Sequence, residues 1–305
     1  MSTYSATSSS YSPPSSYPYN GICAIIISWD QDDLEIYEEL LGLQAAFQSL
    51  NFTSVKMFSI PNQDSFGTLL VELQAQKLKA SADGSLLVVY YGGHGRLSAN
   101  RRLRLTANRE PRSPIIDWIS MQAILECADI DVFLILDCCN ASAAASSFEQ
   151  DLEDSPEPTN RFEILAGCGF DSVTRGAGRY SFTNALKTEL FEQSQRGGIF
   201  SVSQLYQWLH AKMIRQHPSN IPDSNEEEYE RCFVAPIYLP RCIDYNHISI
   251  PLMKMDLPVL DEDEIPSTSQ DSQIARIPGP WRRQSLYTQE KPKALTARVF
   301  AFPAP

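Results

Sequence analysis

The stretch "FLILDCCNAS", from Phe133 to Ser142, is an apolar run that stops at an acid and two adjacent cysteines. Short unbroken runs of large apolar residues are typical of strands that are covered on both faces of a sheet. The run therefore predicts a buried strand over residues 131–137, with a carboxylate and two thiols where that strand meets solvent.

Strand patterns alternate with helical patterns on both sides of this stretch. The runs "ICAIIISW" (22–29), "FTSVKMFSI" (52–60) and "SLLVVYY" (85–91) predict further strands, and the segments between them carry apolar residues at helical spacing. This alternation predicts an α/β fold with a mostly parallel central sheet and helices on both faces. The other predicted elements are helices at 32–50, 64–80, 118–127, 181–193 and 201–216 and strands at 161–168 and 232–239.

The two ends of the chain lack this pattern. Residues 1–18 are mostly Ser, Pro and Tyr, and residues 256–305 carry acidic and Pro-containing segments without sustained periodicity. Such segments cannot bury enough apolar surface to offset the entropy lost on ordering. We therefore predict one domain over residues 19–255, with disordered tails at 1–18 and 256–305.

The charge and composition limit the partners that we expect. Lys and Arg number 25 against 37 Asp and Glu, and the formal net charge of -12 repels phosphate backbones, so nucleic acid is not an expected partner. We expect no membrane span, because no run reaches the roughly 18 uncharged apolar residues that a span needs. We also expect no signal peptide, because the N-terminus lacks a basic start and an apolar centre. The sequence thus favours a cytosolic or nuclear protein whose seven cysteines are reduced thiols.

Residues that can carry chemistry follow two of the predicted strands. His94 and Gly95 belong to "VVYYGGHG" (88–95), and Cys138 and Cys139 follow the strand at 131–137. In parallel sheets, ligands gather outside the carboxyl ends of the strands. A thiol becomes an effective nucleophile when an imidazole takes its proton, so a Cys and a His at neighbouring strand ends can form a dyad.

Two other interpretations of these motifs are open. The Gly-Gly-His-Gly run can be a tight turn, and strand-end cysteines can be small core residues. Zinc binding by His94, Cys138 and Cys139 fits poorly, because adjacent residues of an extended strand point to opposite faces and no second ligand motif is present. We predict neither a metal nor another cofactor.

The motifs "VVYYGGHG" and "LILDCCNAS" resemble the histidine and cysteine motifs of the caspase and metacaspase clan of cysteine peptidases, particularly fungal caspase-domain proteins with a "DCC" box. His94 and Cys139 are 45 positions apart, beside the roughly 50 of caspases. The likeness continues through "EILAGCGFDSVTRGAGRYSFTNAL" (163–186) and covers most of residues 20–250. It implies a caspase-like three-layer sandwich and a cysteine-type endopeptidase acting on protein or peptide substrates, in regulatory or cell-death-related proteolysis.

The resemblance assigns a role to each site residue. His94 corresponds to the general base and Cys139 to the nucleophile, while the backbone amides of Gly95 and Cys139 are expected to form the oxyanion hole. Cys138 should then face the sheet interior. Asp137 corresponds to the acid that lines the pocket for the residue before the scissile bond, which implies cleavage after Arg or Lys. The alternative for Asp137 is a purely structural hydrogen bond at the strand end.

The sequence also departs from the metacaspase pattern. Asn140, Ala141 and Ser142 replace "HSG" after the nucleophile, and the segment 98–112 is basic where many metacaspases carry calcium-binding acids. Calcium dependence is therefore not expected, and the basic segment is predicted to be a solvated loop. Without a "GCxND" segment after the first strand, we assign no pocket residue to Asp30, Asp32 or Asp33. An inactive caspase-fold scaffold and a redox-sensing thiol protein remain as alternatives to the enzyme.

Overall fold

Six strands form the central sheet of the protein, in a computed structural model that describes residues 17–150, 160–170, 172, 176–215, 234–241 and 248–255. In chain order the elements are β1 (Ile22–Trp29), α1 (Tyr37–Ser49), β2 (Ser54–Ile60), α2 (Ser65–Asp83), β3 (Leu86–Gly92), β4 (His94–Leu97), β5 (Leu103–Thr106), β6 (Ile115–Asp117), α3 (Trp118–Glu126), β7 (Val132–Asp137), a 3-10 helix (Ala141–Gln150), β8 (Phe162–Ala166), α4 (Phe182–Arg196), β9 (Ile199–Ser201), α5 (Val202–Arg215), β10 (Ile237–Pro240) and β11 (Pro251–Met253).

The strand order of the central sheet is β10-β8-β7-β3-β1-β2. All neighbouring pairs are parallel except β10 and β8, which are antiparallel. Every residue of β3 is buried, as expected of a central strand that helices cover on both faces. The predicted mostly parallel sheet is confirmed.

The two faces of the sheet bury different helices. Odd-numbered apolar residues of β1 pack with α2 and α3, and its even-numbered ones pack with α1, α4 and α5. This division follows from the alternation of side chains along a strand. The result is the predicted three-layer sandwich.

The helix starts follow local capping chemistry. Ser181 Oγ accepts a hydrogen bond from the Asn184 amide at the start of α4. Before α5, the Ser201 amide donates to Gln204 Oε1 at 2.8 Å and Ser201 Oγ accepts from the Gln204 amide at 3.1 Å. Ser201 and Gln204 have the spacing that predicts a capping box at the start of this helix, and the reciprocal pair confirms it. The first helix begins later than predicted, because Asp32 Oδ2 accepts from the Leu34 amide and stabilises a turn before α1.

A small antiparallel sheet of β4, β5 and β6 was not predicted. It includes part of the basic segment 98–112, so the prediction of a solvated loop is wrong for β5. In "RLRLT" (102–106) the leucines Leu103 and Leu105 are buried and the intervening Arg104 faces outward, where its Nε lies 2.6 Å from Asp117 Oδ1. Apolar residues at every second position therefore mark this segment as a strand. The short pair β9 and β11 was also not predicted.

Most residues of the two predicted tails, 1–16 and 256–305, lie outside the described residues. Tyr17, at the end of the first tail, donates a hydrogen bond from its hydroxyl to the Pro251 carbonyl at 3.1 Å. Across the part of the chain that the structure describes, no helix combines the length and the apolar character needed to cross a membrane.

Candidate active site

The parallel pairing of β3 and β7 brings the two sequence motifs together. Gly92 at the end of β3 pairs with Asp137 at the end of β7, and the Gly93 amide donates to the Asp137 carbonyl at 3.2 Å. His94 and Cys139 each follow two residues after this pair. The carboxyl edge of the sheet therefore places the imidazole and the thiol on adjacent chain segments.

The two adjacent cysteines have different environments. Cys138 is fully buried in the cluster beneath α2 and α3, as predicted, whereas Cys139 is partly exposed. Burial, together with the nearby Cys168 thiol, raises the pKa of Cys138 well above its ordinary value. Because only a thiolate is an effective nucleophile, Cys139 is the better placed of the two.

The turn after β7 separates Cys139 from the strand pattern. The strand ends at Asp137, and Asn140 adopts a left-handed backbone with φ of 60°. Strand alternation therefore does not decide where the Cys139 side chain points. The turn itself orients Cys139.

Gly95 allows the closest approach between the two motifs. A Cβ atom added to Gly95 would lie 2.2 Å from the Cys139 carbonyl oxygen and 2.9 Å from Cys138 Sγ. No side chain fits at this position, so the glycine is required for β4 to lie against the end of β7. The backbones of Gly95 and Cys139, which we predict to supply the oxyanion hole, are thus in direct contact.

His94 makes polar contacts through both its backbone carbonyl and its imidazole ring. Its carbonyl accepts from the Tyr91 hydroxyl at 2.9 Å, and that hydroxyl accepts from Trp29 Nε1 at 3.1 Å. The imidazole is 10% exposed, and its Nε2 contacts Asp33 Oδ1. Asp33 was not selected from the sequence, because it is one of three acids in "DQDD" (30–33) and nothing in that run distinguishes them.

Asp32, Asp33 and His94 each offer one ligand atom, and these atoms lie within 4.8 Å of one another. Asp32 Oδ2 accepts from the Leu34 amide, while its Oδ1 is buried without a hydrogen-bond partner, and burial raises the pKa of this carboxyl. Asp33 is engaged with His94 itself. We assign no metal to this group, because exposed acidic groups are common in proteins without a bound ion.

Asp137 faces the opposite side of the sheet from Cys138. Its Oδ2 accepts from Thr183 Oγ1 at 2.5 Å, and Thr183 Oγ1 also lies 2.5 Å from the Tyr90 hydroxyl. Burial first, and the neighbouring negative charge of Glu39 second, raise the pKa of Asp137 from 3.8 to about 6. The carboxylate is therefore poorly solvated and has no cation beside it among the described residues that line its surroundings.

A small cleft that opens to solvent lies over Asp137 between α1 and the segment before α4. Glu39 is the second acidic residue that lines the cleft. Both of its carboxylate oxygens accept from Ser181 Oγ at 2.9 Å. Gly92 and Gly93 line the side nearest His94. The described lining includes no Lys or Arg, so the cleft is acidic. Glu39 was missed in the sequence, where it looks like an ordinary first-turn acid of a helix.

The fold and the site define a class of protein: a three-layer α/β sandwich with a thiol and an imidazole at adjacent strand ends and an acidic cleft beside them. The sequence model of the caspase domain family (Peptidase_C14) matches residues 38–234, which is more than half of the chain. The chain belongs to this family of cysteine peptidases.

Solved structures of caspases are among those similar to this chain. Caspase-1 from Spodoptera frugiperda has 18% identity and a TM-score of 0.48, over 73% of this chain and 91% of that one. The structure of drICE has 13% identity and a TM-score of 0.44, over 72% of this chain and 87% of that one. No curated protein sequence matches the chain.

Proposed function

We propose that this protein is a cysteine endopeptidase that cleaves after Arg or Lys, with Cys139 as the nucleophile and His94 as the general base. The observation that carries the proposal is the register of β3 and β7, which aligns Gly92 with Asp137 and so sets both motifs at one edge of the sheet. Membership of the caspase domain family supports the reaction class. We also propose that the substrates are proteins and that the role is regulatory or cell-death-related proteolysis in the cytosol or nucleus. The peptidase domain is proposed to span residues 19–255.

The proposed chemistry needs only residues at this edge. Cys139 gives its proton to His94, and its Sγ attacks the carbonyl carbon of the scissile bond to form a tetrahedral intermediate. The amides of Gly95 and Cys139 stabilise the negative oxygen. His94 then returns the proton to the leaving amine, and the C–N bond breaks to leave a thioester on Cys139. A water molecule, deprotonated by His94, attacks that thioester, and the C–S bond breaks to release the acid product while His94 returns the proton to the Cys139 sulfur.

The acidic cleft supports the preference for a cation. Asp137 and Glu39 line it from two elements, and a Lys or Arg side chain entering the cleft would neutralise carboxylates that repel each other. Charge-assisted hydrogen bonds between such partners are stronger than neutral ones. An acidic substrate side chain would instead meet two like charges, so caspase-like cleavage after Asp is not expected.

A peptide library incubated with the purified full chain, under reducing conditions and with and without calcium, tests the proposal. We expect cleavage after Arg and Lys that is lost in Cys139→Ala and in His94→Ala. The double variant should be no worse than either single one, because the two residues act as a unit. A folded wild-type protein that cuts no peptide, and whose Cys139 does not react with a thiol-directed peptide probe, would instead be a binding module.

A further inference from the structure

The Asp33 carboxylate contacts His94 but has no role in the proposed mechanism of Cys139 and His94. Asp33 lies in the segment between β1 and α1, ahead of the residues 38–234 that the caspase domain model matches. Its Oδ1 contacts Nε2 of His94, which leaves Nδ1 as the ring nitrogen available to a thiol.

We propose that Asp33 is a positioning residue: its carboxylate accepts the Nε2 proton of His94 and so holds the imidazole in the tautomer whose Nδ1 takes the proton of Cys139. This inference rests on the proposed function and completes it as a Cys139–His94–Asp33 triad. A histidine's reactive nitrogen is set by the hydrogen bond that its other nitrogen makes.

The fold fixes Asp33 in this position from several directions. Strand β1 pairs with β3 up to Ile27 and Tyr91, so the segment after β1 emerges beside the segment that carries His94. The Asp30 amide donates to the Ile60 carbonyl at 3.0 Å, and the turn at Asp32 closes on the Leu34 amide at 3.1 Å. The segment is therefore tied to the sheet just before Asp33, and a local turn spans Asp33 itself.

The same carboxylate also stabilises the charge that the reaction creates. When the Cys139 proton moves to Nδ1, the imidazole becomes a cation with two N–H groups, and Asp33 accepts from one of them. Burial alone would raise the pKa of the Asp33 carboxyl, but the hydrogen bond and the charge of His94 lower it below its ordinary value. Asp33 is therefore ionised at neutral pH, as this role requires.

Asp32 provides a matched control in the same segment. Its carboxylate lies close enough to His94 to interact by charge, but its hydrogen bond goes to the Leu34 amide. The other titratable groups near this segment are Tyr91 on β3, whose hydroxyl donates to the His94 carbonyl, and Cys138 and Cys139 after β7, which interact with Tyr91 by charge. Replacing Asp32 thus changes the local charge without removing the hydrogen bond to Nε2.

The test compares the wild-type full chain with Asp33→Asn, Asp33→Glu and Asp32→Asn. The pH dependence of Cys139 alkylation by iodoacetamide is followed by mass spectrometry, with the exposed Cys127 of the same chain as reference. We expect Asp33→Asn to move the midpoint for Cys139 upward by about one pH unit, because the imidazolium loses its partner. Asp32→Asn and Asp33→Glu should move it by less than half as much.

Peptide cleavage gives the second readout. Asp33 does not line the acidic cleft, so Asp33→Asn should lower kcat by roughly 10- to 100-fold with KM little changed. Asp33→Glu should recover part of this loss, because it keeps the carboxylate. The Asp33 side chain is 46% exposed, which leaves room for the longer Glu side chain. Thermal melting of each variant is the check that the fold is intact.

The two proposals fail differently in this experiment. Alkylation needs no substrate, so a wild-type protein that cleaves no peptide overturns the proposed function and leaves the alkylation result to decide the role of Asp33. An Asp33→Asn profile that superimposes on the wild type, or an equal shift in Asp32→Asn, overturns the positioning role.

Discussion

At the scale of single residues, the burial of Asp137 sets the stability of the fold against the proposed role of this residue in substrate recognition. Its carboxyl is buried beside Glu39, and its pKa is about 6 in the folded protein against an ordinary value of 3.8. Between these two values the folded state binds the proton more tightly than the unfolded state does, so the free energy of unfolding falls as the pH rises through this window. Ionised Asp137 thus destabilises the fold at neutral pH, by on the order of 2 to 3 kcal/mol.

The substitution Asp137→Asn tests this conflict. Asn can still accept from Thr183 but carries no charge, so we expect the variant to melt several degrees higher than the wild type at pH 7 and at nearly the same temperature at pH 4. Its kcat/KM for Arg and Lys peptides should fall at least about 10-fold. Calorimetry across pH and peptide assays measure the two effects. A variant that melts lower than the wild type at pH 7 would contradict the assigned origin of the shift.

The two adjacent cysteines give a second prediction at this scale. Cys139→Ala should abolish peptide cleavage, whereas Cys138→Ala should retain most of it, because Cys138 is buried and its pKa is raised well above the ordinary value. The measurement is a comparison of initial rates at equal concentrations of folded protein, with circular dichroism as the check on folding. Equal loss in both variants would exclude Cys139 as the particular nucleophile.

At the scale of elements, the small sheet of β4, β5 and β6 determines where His94 lies. His94 pairs with Thr106 across β4 and β5, and Gly95 brings β4 against the Cys139 carbonyl. The sheet is therefore a support for the site and not a solvated loop that happens to follow it.

The substitution Gly95→Ala tests this arrangement. An added methyl group would force β4 away from the end of β7, so we expect a loss of roughly 1 to 3 kcal/mol in the free energy of unfolding and a severe loss of peptide cleavage. Gly176→Ala is the matched control for stability, because its added methyl group would meet nothing within 4 Å. Denaturant unfolding compares the two. A Gly95→Ala protein with wild-type stability and activity would show that the close contact is unimportant.

At the scale of the whole molecule, the segment after Cys139 connects β7 to its neighbour β8 in the sheet. Caspases and many metacaspases are cut in this region, and here it is "NASAAASSFEQDLEDSPEPTN" (140–160), which contains acids and prolines but no Lys or Arg. Residues 151–159 of it lie outside the described residues.

The acidic cleft predicts that the protein does not process itself within this segment. We expect the purified full chain to stay intact across residues 140–160 while it cleaves an Arg or Lys peptide, because the described lining of the cleft includes no positive group to hold an acidic side chain. Mass spectrometry of the incubated protein is the measurement, with Cys139→Ala as the control. Cleavage after Asp151 or Asp154 that disappears in the control would mean an acidic preference.

Much of this architecture could be predicted from the sequence because the signals are local. Unbroken apolar runs identified β1, β3 and β7, and the capping pair of Ser201 and Gln204 identified the start of α5. Strand ends that carry a histidine and two cysteines indicated the edge where a site would form. Each of these features depends on residues a few positions apart, which a linear sequence shows directly.

Only the tertiary structure decided which acids belong to the site. Asp33 reaches His94, and Glu39 reaches the cleft of Asp137, through contacts between segments that are far apart in the chain. In sequence, these residues look like solvated acids before and within an amphipathic helix. What distinguishes them is the order of strands in the sheet, which sets β1 beside β3 and β3 beside β7, and long-range pairing of that kind leaves no local pattern in the residues it brings together.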